Sequence, residues 1–260
     1  MQIDELNRVI DEMAAGEVLV LPGIPDYIYH ATTGYGSTAM LAATQSMAHF
    51  KTYLESDRSP TPDMQIGSAI HTMVLEPDAF FDRFVLQPEN LTPGNNNAWK
   101  AWKAEQTLPV LSLAEMKVIS ATAESVIDRA LPYFSEGQAE LSYWLKDPSG
   151  IVLKARVDYK KGDLGVDLKS TKAETPRKFL NTIKYDYHIQ DALYRRVTGL
   201  ADFIFIGACK QAPHAIYAGR QSAALRAHAD KAIDEAIRAI QIAKSFDDYP
   251  LPPIQILETE

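Results

Sequence analysis

The chain has 260 residues and a mass of 28.9 kDa, and its 46% hydrophobic and 23% charged residues are ordinary for a globular protein. The single cysteine, Cys209, excludes an internal disulfide and a four-cysteine zinc or iron–sulfur site. No apolar run is long enough to span a bilayer, and the acidic N-terminal segment does not resemble a secretory signal, so we expect a cytoplasmic protein without membrane association.

The net charge of −8 is unevenly distributed along the chain. Residues 150–200 contain 11 Lys and Arg against 6 Asp and Glu, whereas the remainder is strongly acidic. A locally basic region on an acidic body can attract a nucleic-acid backbone to one place. A solvated charged surface has the same composition, and composition alone favours that second interpretation.

The first half of the sequence predicts mainly helices. A short amphipathic segment and a proline-containing link occupy the first thirty residues, and Ser37 can cap the helix that follows. Trp99 and Trp102 belong to an amphipathic helix, where they suit core anchors better than base-stacking groups. Further helices are predicted over residues 38–55, 64–75 and about 113–130.

The second half begins with three β-rich runs separated by the turn sequences DPSG and KKGD. These runs are AELSYWLK, IVLKARVDY and LGVDLKS. Thr175 and Pro176 then begin a helical segment that extends to Gly199, with a break expected near residues 185–187. Two strands, DFIFIGA and HAIYAGR, precede a long amphipathic helix over residues 222–246.

These elements predict a single α/β domain over residues 1–260, with a mixed or mostly antiparallel sheet and helices packed on it. The helical N-terminal part extends to about residue 130. The sheet and its helices occupy about residues 138–246, and an irregular tail covers residues 247–260.

The hairpin between the second and third β-rich runs places charged residues at neighbouring positions. A two-residue turn at residues 162–163 fixes the register. The predicted pairs are Lys161 with Leu164, Tyr159 with Val166, Asp158 with Asp167, and Arg156 with Lys169. Because strand side chains alternate, the two acids, the arginine and Lys169 should share one face. The apolar residues Val157, Val166 and Leu168 should occupy the other face.

Two directly opposed carboxylates about 5 Å apart repel each other. A divalent cation between Asp158 and Asp167 would remove this repulsion, and hard oxygen ligands suit Mg²⁺ or Mn²⁺ better than zinc. Lys169 could then orient or deprotonate a water and stabilise developing charge. The alternative is a surface hairpin with ordinary charge pairs, and the hairpin alone leaves both interpretations open.

The ordered motifs around this hairpin resemble the PD-(D/E)xK nuclease superfamily, and within its RecB-like branch the RecE-type exonuclease (exonuclease VIII) domain. They cover most of residues 29–196. The matching stretches are YHATTGYGSTAML, IGSAIHTMVLEPDAFFDRFV, AELSYW, ARVDY, VDLKST and YDYHIQDALYRR. The resemblance implies a restriction-endonuclease-like core, in which a mixed β-sheet is flanked by helices.

The resemblance also implies a role for each matching residue. The implied metal ligands are His71, Asp158, Asp167 and the Leu168 carbonyl. The implied catalytic residues are Lys169, Glu140 and the Gln-x-x-x-Tyr pair, Gln190 and Tyr194. Each role has a simpler alternative when the resemblance is set aside. A lone helical histidine such as His71 is more often structural, and Glu140 could be an exposed charge at a strand start. Gln190 and Tyr194 could belong to a polar helix face. Loop lysines are more often simply solvated, but the candidate DNA-backbone contacts are Lys160, Lys161, Lys172, Arg177 and Lys178.

The activity implied by the resemblance is Mg²⁺-dependent exonuclease action on the ends of linear double-stranded DNA, with Mn²⁺ able to substitute. It further implies 5′-to-3′ digestion by a ring-shaped homo-oligomer, and collaboration with a RecT-like single-strand annealing protein in phage-associated recombination. No helicase phosphate-binding loop of the type GxxxxGK[ST] is present, so we expect a stand-alone nuclease. A metal-dependent endonuclease of the same fold and a non-catalytic nucleic-acid-binding module are the alternative predictions.

Overall fold

In the computed structural model, which describes residues 2–57, 59–94 and 96–252, a mixed β-sheet lies between two layers of helices. The helices are α1 (Ile3–Glu12), α2 (Asp26–Ala31), α3 (Ser37–Gln45), α4 (Met47–Glu55), α5 (Pro62–Leu75), α6 (Phe80–Arg83), α7 (Asn97–Ala104), α8 (Leu113–Ala130), α9 (Pro176–Asp186), α10 (His188–Thr198) and α11 (Ala223–Phe246). The strands are β1 (Val18–Pro22), β2 (Val85–Leu86), β3 (Val110–Leu111), β4 (Gln138–Lys146), β5 (Val152–Lys161), β6 (Leu164–Thr171), β7 (Asp202–Cys209) and β8 (Ile216–Gly219).

Six of these strands form the main sheet in the order β1–β4–β5–β6–β7–β8. The pair β6–β7 is parallel and the other four pairs are antiparallel. The parallel pair needs a crossover connection, which α9 and α10 provide. The sheet is therefore mixed and flanked by helices, which confirms the predicted fold class.

The two faces of the sheet are covered by different helices. Residues of α3, α4, α9, α10 and α11 form a hydrophobic cluster on one face, here called the α10 face. Residues of α5, α6 and α8 form a second cluster on the opposite face, here called the α5 face. A third, smaller cluster joins α1 and α2 to β4 and β5 through Trp144 and Val152.

Most helix boundaries agree with the capping signals in the sequence. The side chain of Ser112 accepts a hydrogen bond from the Glu115 backbone, and the Glu115 side chain bonds back to the Ser112 backbone, which forms the capping box that begins α8. The predicted helix break near residues 185–187 lies between α9 and α10. Gly199 ends α10 in a left-handed conformation with φ 70°.

The helix predicted over residues 38–55 is instead two helices, α3 and α4. Ser46 separates them in an extended conformation, with φ −174° and ψ 166°. Its hydroxyl accepts a hydrogen bond from the His49 backbone at 3.2 Å and so caps α4. The apolar periodicity continues across this residue, and the prediction therefore missed the break.

Strand β1 was not predicted. It pairs with β4 from Val18 opposite Leu145 to Pro22 opposite Leu141. Pro22 is tolerated because it ends an edge strand, where the missing backbone donor does not interrupt the sheet. The predicted irregular tail is consistent with residues 247–252, and residues 253–260 lie outside the described part of the chain. Among the described helices, none combines the length and apolarity needed to cross a bilayer.

Candidate active site

The candidate site lies where β5 and β6 separate. The hairpin register is as predicted at its turn, with Lys161 opposite Leu164 and Tyr159 opposite Val166. The ladder ends at the Tyr159–Val166 pair, so the predicted backbone pairing of Asp158 with Asp167 does not form. The pairing predicted for Arg156 and Lys169 is absent for the same reason: here β5 continues to pair with β4 while β6 pairs with β7.

The Asp158 side chain bridges the strands at the point where they separate. Its Oδ2 accepts a hydrogen bond from the backbone N–H of Leu168 at 2.7 Å. Asp158 and Asp167 therefore remain neighbours. The link between the strands is the hydrogen bond from the Leu168 backbone to the Asp158 side chain, and not the backbone pairing that the turn predicted. This contact places the Asp158 carboxylate between β5 and β6.

The side-chain alternation of the sheet also changes here. Val157 packs on the α10 face, whereas Tyr159, two residues further along β5, packs on the α5 face. The prediction that Val157 shares a face with Val166 and Leu168 is therefore wrong. The change occurs beside Glu140 of β4, whose φ of 54° is a left-handed conformation that interrupts the regular alternation of a strand.

Helix α5 brings His71 to the acids from the α5 face. Thr61 caps the helix, and Pro62 occupies its first turn. Gly67 allows α5 to pack closely on β6, because a Cβ at this position would lie only 2.8 Å from the Ser170 hydroxyl oxygen. His71 lies four residues further along the same side of the helix, and its Nδ1 is 3.5 Å from Asp158 Oδ2.

His71, Glu140 and Asp158 each contribute one potential ligand atom, and these atoms all lie within 4.8 Å of one another. The structure thus groups Glu140, predicted as a catalytic residue, with two of the predicted metal ligands. Asp167 and the Leu168 backbone adjoin this group, and both influence the pKa of His71. An imidazole with two carboxylates is a donor set suited to a divalent cation.

The electrostatics of this group also favour a cation. Burial, followed by the charges of Asp167 and Glu140, raises the pKa of Asp158 well above its ordinary value. Burial also raises the pKa of Glu140, against the opposing effect of Arg156. Burial lowers the pKa of His71 to about 4, so its imidazole is neutral at physiological pH and can offer a lone pair. A divalent cation would neutralise the crowded carboxylates, and the residues present therefore fit one.

Lys169 is held beside this group by Asp167. Its Nζ lies 2.6 Å from Asp167 Oδ2, while Asp167 Oδ1 accepts a hydrogen bond from Gln190 Nε2 at 2.5 Å. Burial disfavours the Lys169 ammonium, but Asp167 and Asp158 outweigh this effect and raise its pKa. Lys169 is consequently a cation at neutral pH. Gln190 acts on the carboxylate that holds Lys169.

Tyr194 does not form the same contact as Gln190, although both belong to α10. Its ring lies edge-on against Phe203, with centroids 5.4 Å apart, and only 8% of the residue is exposed. Burial raises the pKa of the Tyr194 hydroxyl well above its ordinary value, and a hydrogen bond to the Arg156 backbone acts in the opposite direction. Tyr194 therefore anchors α10 to β5 near the site.

Sequence reasoning missed two contacts that shape the site. Arg156 Nε donates to Glu140 Oε2 at 2.5 Å, so the arginine points towards β4 rather than towards Lys169. The Lys169 ammonium lies over the ring of Tyr187, 4.9 Å from its centroid. Strand alternation could have paired Arg156 with a β4 residue, and the helix break at Tyr187 was visible in the sequence.

Helix α10 is fixed by a buried charge network. Asp191 is completely buried and accepts from Arg195 at 2.8 Å and from Arg226 of α11 at 3.2 Å. Arg226 also contacts Asp202 of β7 at 2.6 Å. Because Gln190 precedes Asp191, this network holds Gln190 in place over the sheet.

A cavity of about 570 Å³ adjoins Lys169 and Gln190. Its remaining wall comes from α2, from α3 and the segment that leads into it, from α4, from Lys154 of β5, and from the α9–α10 junction with the first turns of α10. This volume is in the range of small-molecule pockets. The cavity therefore meets the candidate site on the side of Lys169 and Gln190.

The predicted DNA-backbone contacts do not form one patch. Lys160 and Lys161 lie near the β5–β6 turn, whereas the other three follow the opposite end of β6. Three of the five are engaged within the chain: Lys161 with the Pro132 carbonyl at 2.9 Å, Lys172 with Asp63 at 3.5 Å, and Lys178 with Glu174 at 2.9 Å. Across residues 2–57, 59–94 and 96–252, no ion pair is found for Lys160 or Arg177.

Comparison with known proteins places these features in context. The model of a family described as "PDDEXK-like domain of unknown function (DUF3799)" matches residues 37–250. No curated protein matches the sequence. Among solved structures, the "Putative exonuclease" from Eubacterium rectale superposes with a TM-score of 0.61 at 15% identity, covering 92% of this chain and 95% of that one. The structure of SSO0001 aligns with a TM-score of 0.30 at 9% identity, over 77% and 84% of the two chains.

Proposed function

The chain belongs to the PDDEXK-like family DUF3799, and from that membership we propose that it is a divalent-metal-dependent exonuclease acting on linear double-stranded DNA. The observation that carries the proposal is the cluster of His71, Glu140 and Asp158, with Lys169 beside it across Asp167. The Asp-x-Lys sequence of β6, Asp167 to Lys169, agrees with the PDDEXK-like description of the family. The fold alone would not specify an activity.

The chemistry assigned to each side chain follows from its surroundings. His71, Glu140 and Asp158, with Asp167 and the Leu168 carbonyl adjoining, would hold Mg²⁺ or Mn²⁺, and a cation bound there would supply Lewis-acid stabilisation of phosphate charge. Lys169 is held as an ammonium by Asp167. We therefore assign it to donate hydrogen bonds at Nζ to the attacking water or to the scissile phosphate, rather than to act as a base.

Exonuclease action is preferred over internal cleavage on two grounds. Lys169 and Gln190 line a concave cavity of about 570 Å³, a shape that suits a strand end better than a continuous duplex. The Eubacterium rectale protein with the same fold also carries the name "Putative exonuclease". We further propose the RecE-type details: 5′-to-3′ polarity, assembly of a homo-oligomeric ring, and cooperation with a RecT-like annealing protein in the cytoplasm of a phage-bearing cell. Lys160, Lys161, Lys172, Arg177 and Lys178 remain the proposed contacts to the DNA backbone.

One digestion experiment tests the activity, its end dependence and its polarity. End-labelled linear duplex, the same duplex blocked at either 5′ or 3′ ends, and closed circular duplex are incubated with the protein and Mg²⁺ or Mn²⁺. We expect linear DNA to release nucleotides, 5′-blocked DNA to resist, and circular DNA to remain intact. Lys169→Ala should abolish release while it preserves DNA binding.

Each alternative gives a different result in that experiment. Cleavage of the closed circle would identify an endonuclease of the same fold. Binding of DNA without nucleotide release in either metal would identify a non-catalytic binding module and reject the enzymatic proposal.

A further inference from the structure

Tyr187 occupies the junction between α9 and α10, directly over the sheet. Its backbone, with φ −114° and ψ 5°, separates the two helices. The ring stacks on Phe205, with centroids 5.4 Å apart and an interplanar angle of 25°. Phe205 lies on β7 directly opposite Asp167 of β6. The stacking partner of Tyr187 is therefore the strand neighbour of the carboxylate that holds Lys169.

Lys169 is contacted by the same aromatic ring. Its Nζ lies 4.9 Å from the Tyr187 ring centroid and 2.6 Å from Asp167 Oδ2. A lysine side chain has several rotatable bonds and loses considerable rotamer freedom when it is fixed. A cation near the face of an aromatic ring is attracted by the ring quadrupole, and the attraction grows when water is excluded. The carboxylate and the ring therefore restrain the ammonium group together.

We propose that Tyr187 is a positioning residue that holds the Lys169 ammonium in its working orientation through the aromatic ring. The inference rests on the proposed function, because it concerns the residue assigned to the phosphodiester reaction. Two contacts support it: the ring is itself fixed by Phe205, and it lies against Lys169. Neither contact uses the phenolic hydroxyl. The role is thus assigned to the ring rather than to the oxygen atom.

The test compares variants that keep the ring with variants that remove it. Tyr187→Phe preserves both the stacking on Phe205 and the contact with Lys169. Tyr187→Leu and Tyr187→Met fill the space with apolar atoms but offer no aromatic face, and two such variants guard against a folding failure in one of them. Initial rates on linear duplex with saturating Mn²⁺ give kcat and KM, and thermal melting shows that each variant is folded.

We expect the Leu and Met variants to lose roughly 3- to 30-fold in kcat, the range that one cation–π contact represents, with KM changed by less than about twofold. Tyr187→Phe should recover most of the wild-type kcat. An equal loss in the Phe variant would overturn the proposal, because the hydroxyl would then be responsible. Unchanged kcat in the Leu and Met variants, or a loss confined to KM, would also overturn it. Wild-type protein that releases no nucleotide would reject the proposed function together with this inference, whereas an active wild type with fully active Leu and Met variants rejects the inference alone.

Discussion

A close contact between α5 and β6 near the candidate site offers a direct test of how His71 is placed. A Cβ added at Gly67 would lie 2.8 Å from the Ser170 hydroxyl oxygen, whereas ordinary contacts begin at 3.4 Å. In Gly67→Ala, α5 and β6 must therefore move apart by roughly 0.6 Å, or the serine must rotate. Overpacking of this kind destabilises a fold by about 1–3 kcal/mol. Replacing a helical glycine with alanine stabilises the helix by about 1 kcal/mol, which offsets part of this loss.

The net destabilisation should therefore be small, but its effect on the site should be larger. His71 is four residues beyond Gly67 on the same side of α5, so a displacement of the helix moves the imidazole relative to Asp158 and Glu140. Loss of ligand orientation typically weakens metal binding by about 10- to 100-fold. We expect Gly67→Ala to weaken Mn²⁺ binding within that range in isothermal titration calorimetry, with a fall in melting temperature of no more than about 8 °C.

A second substitution provides the matched control. Ser170→Ala removes the hydroxyl, and the nearest remaining serine atom, Cβ, is 3.9 Å from the added methyl group. The double variant Gly67→Ala/Ser170→Ala should therefore recover the wild-type affinity, and Ser170→Ala alone should bind Mn²⁺ normally. Displacement of α5 would be excluded if the double variant bound Mn²⁺ as weakly as Gly67→Ala does. Wild-type affinity in Gly67→Ala would show that the Ser170 side chain rotates and that α5 stays in place.

Three further predictions concern charge. Glu140→Gln removes one proposed ligand charge and should weaken Mn²⁺ binding at least about tenfold in calorimetry. Lys231→Ala, on the exposed side of α11, is the control and should bind Mn²⁺ as the wild type does. If the two variants bind Mn²⁺ with the same affinity, Glu140 is not a ligand. Burial, Asp167 and Glu140 raise the pKa of Asp158, so this carboxyl keeps its proton where an ordinary aspartate is ionised, and Mn²⁺ must displace it. Affinity should therefore fall as the pH is lowered from about 8 to 5, with proton release detectable in buffers of different ionisation enthalpy; constant affinity without proton release would contradict this. Asp191→Ala leaves Arg195 and Arg226 without their shared buried carboxylate, so it should lower the free energy of unfolding by about 3 kcal/mol in urea titration. Asp230→Ala, at the exposed edge of that network, should lower it by less than about 1 kcal/mol.

Much of the fold could be predicted from local signals. Capping residues such as Ser112 and the Thr175–Pro176 pair set helix starts, and short β-rich runs between turn sequences set the central strands. Where these signals were weak, the prediction failed. The break at Ser46 lies inside a continuous apolar periodicity, and β1 depends on pairing with β4, a strand more than a hundred residues away.

The candidate site was predictable in its members more than in its arrangement. Alternation along the β6 strand correctly put Asp167 and Lys169 side by side, but a turn-based register cannot show where two strands separate. The conformation of Glu140 could not be predicted from the sequence, because a glutamate does not favour a left-handed backbone. This conformation is imposed by the tertiary structure. Strand alternation could assign Arg156 to a β4 partner but could not identify Glu140, because the regular β4–β5 register places Arg156 opposite Ser142.

The separation of β5 and β6 explains why the cluster can be built from both faces of the sheet. Regular pairing past Tyr159 would bury Asp158 and Asp167 against each other on one face, with His71 on the other side of a closed ladder. Because the ladder ends there, the Asp158 carboxylate sits between the strands and bonds to the Leu168 backbone. His71 then approaches from the α5 face, while Gln190 and Lys169 hold Asp167 on the α10 face. Both helical layers therefore contact the same pair of acids, Asp158 and Asp167. A shift of either α5 or α10 should change the geometry of this cluster.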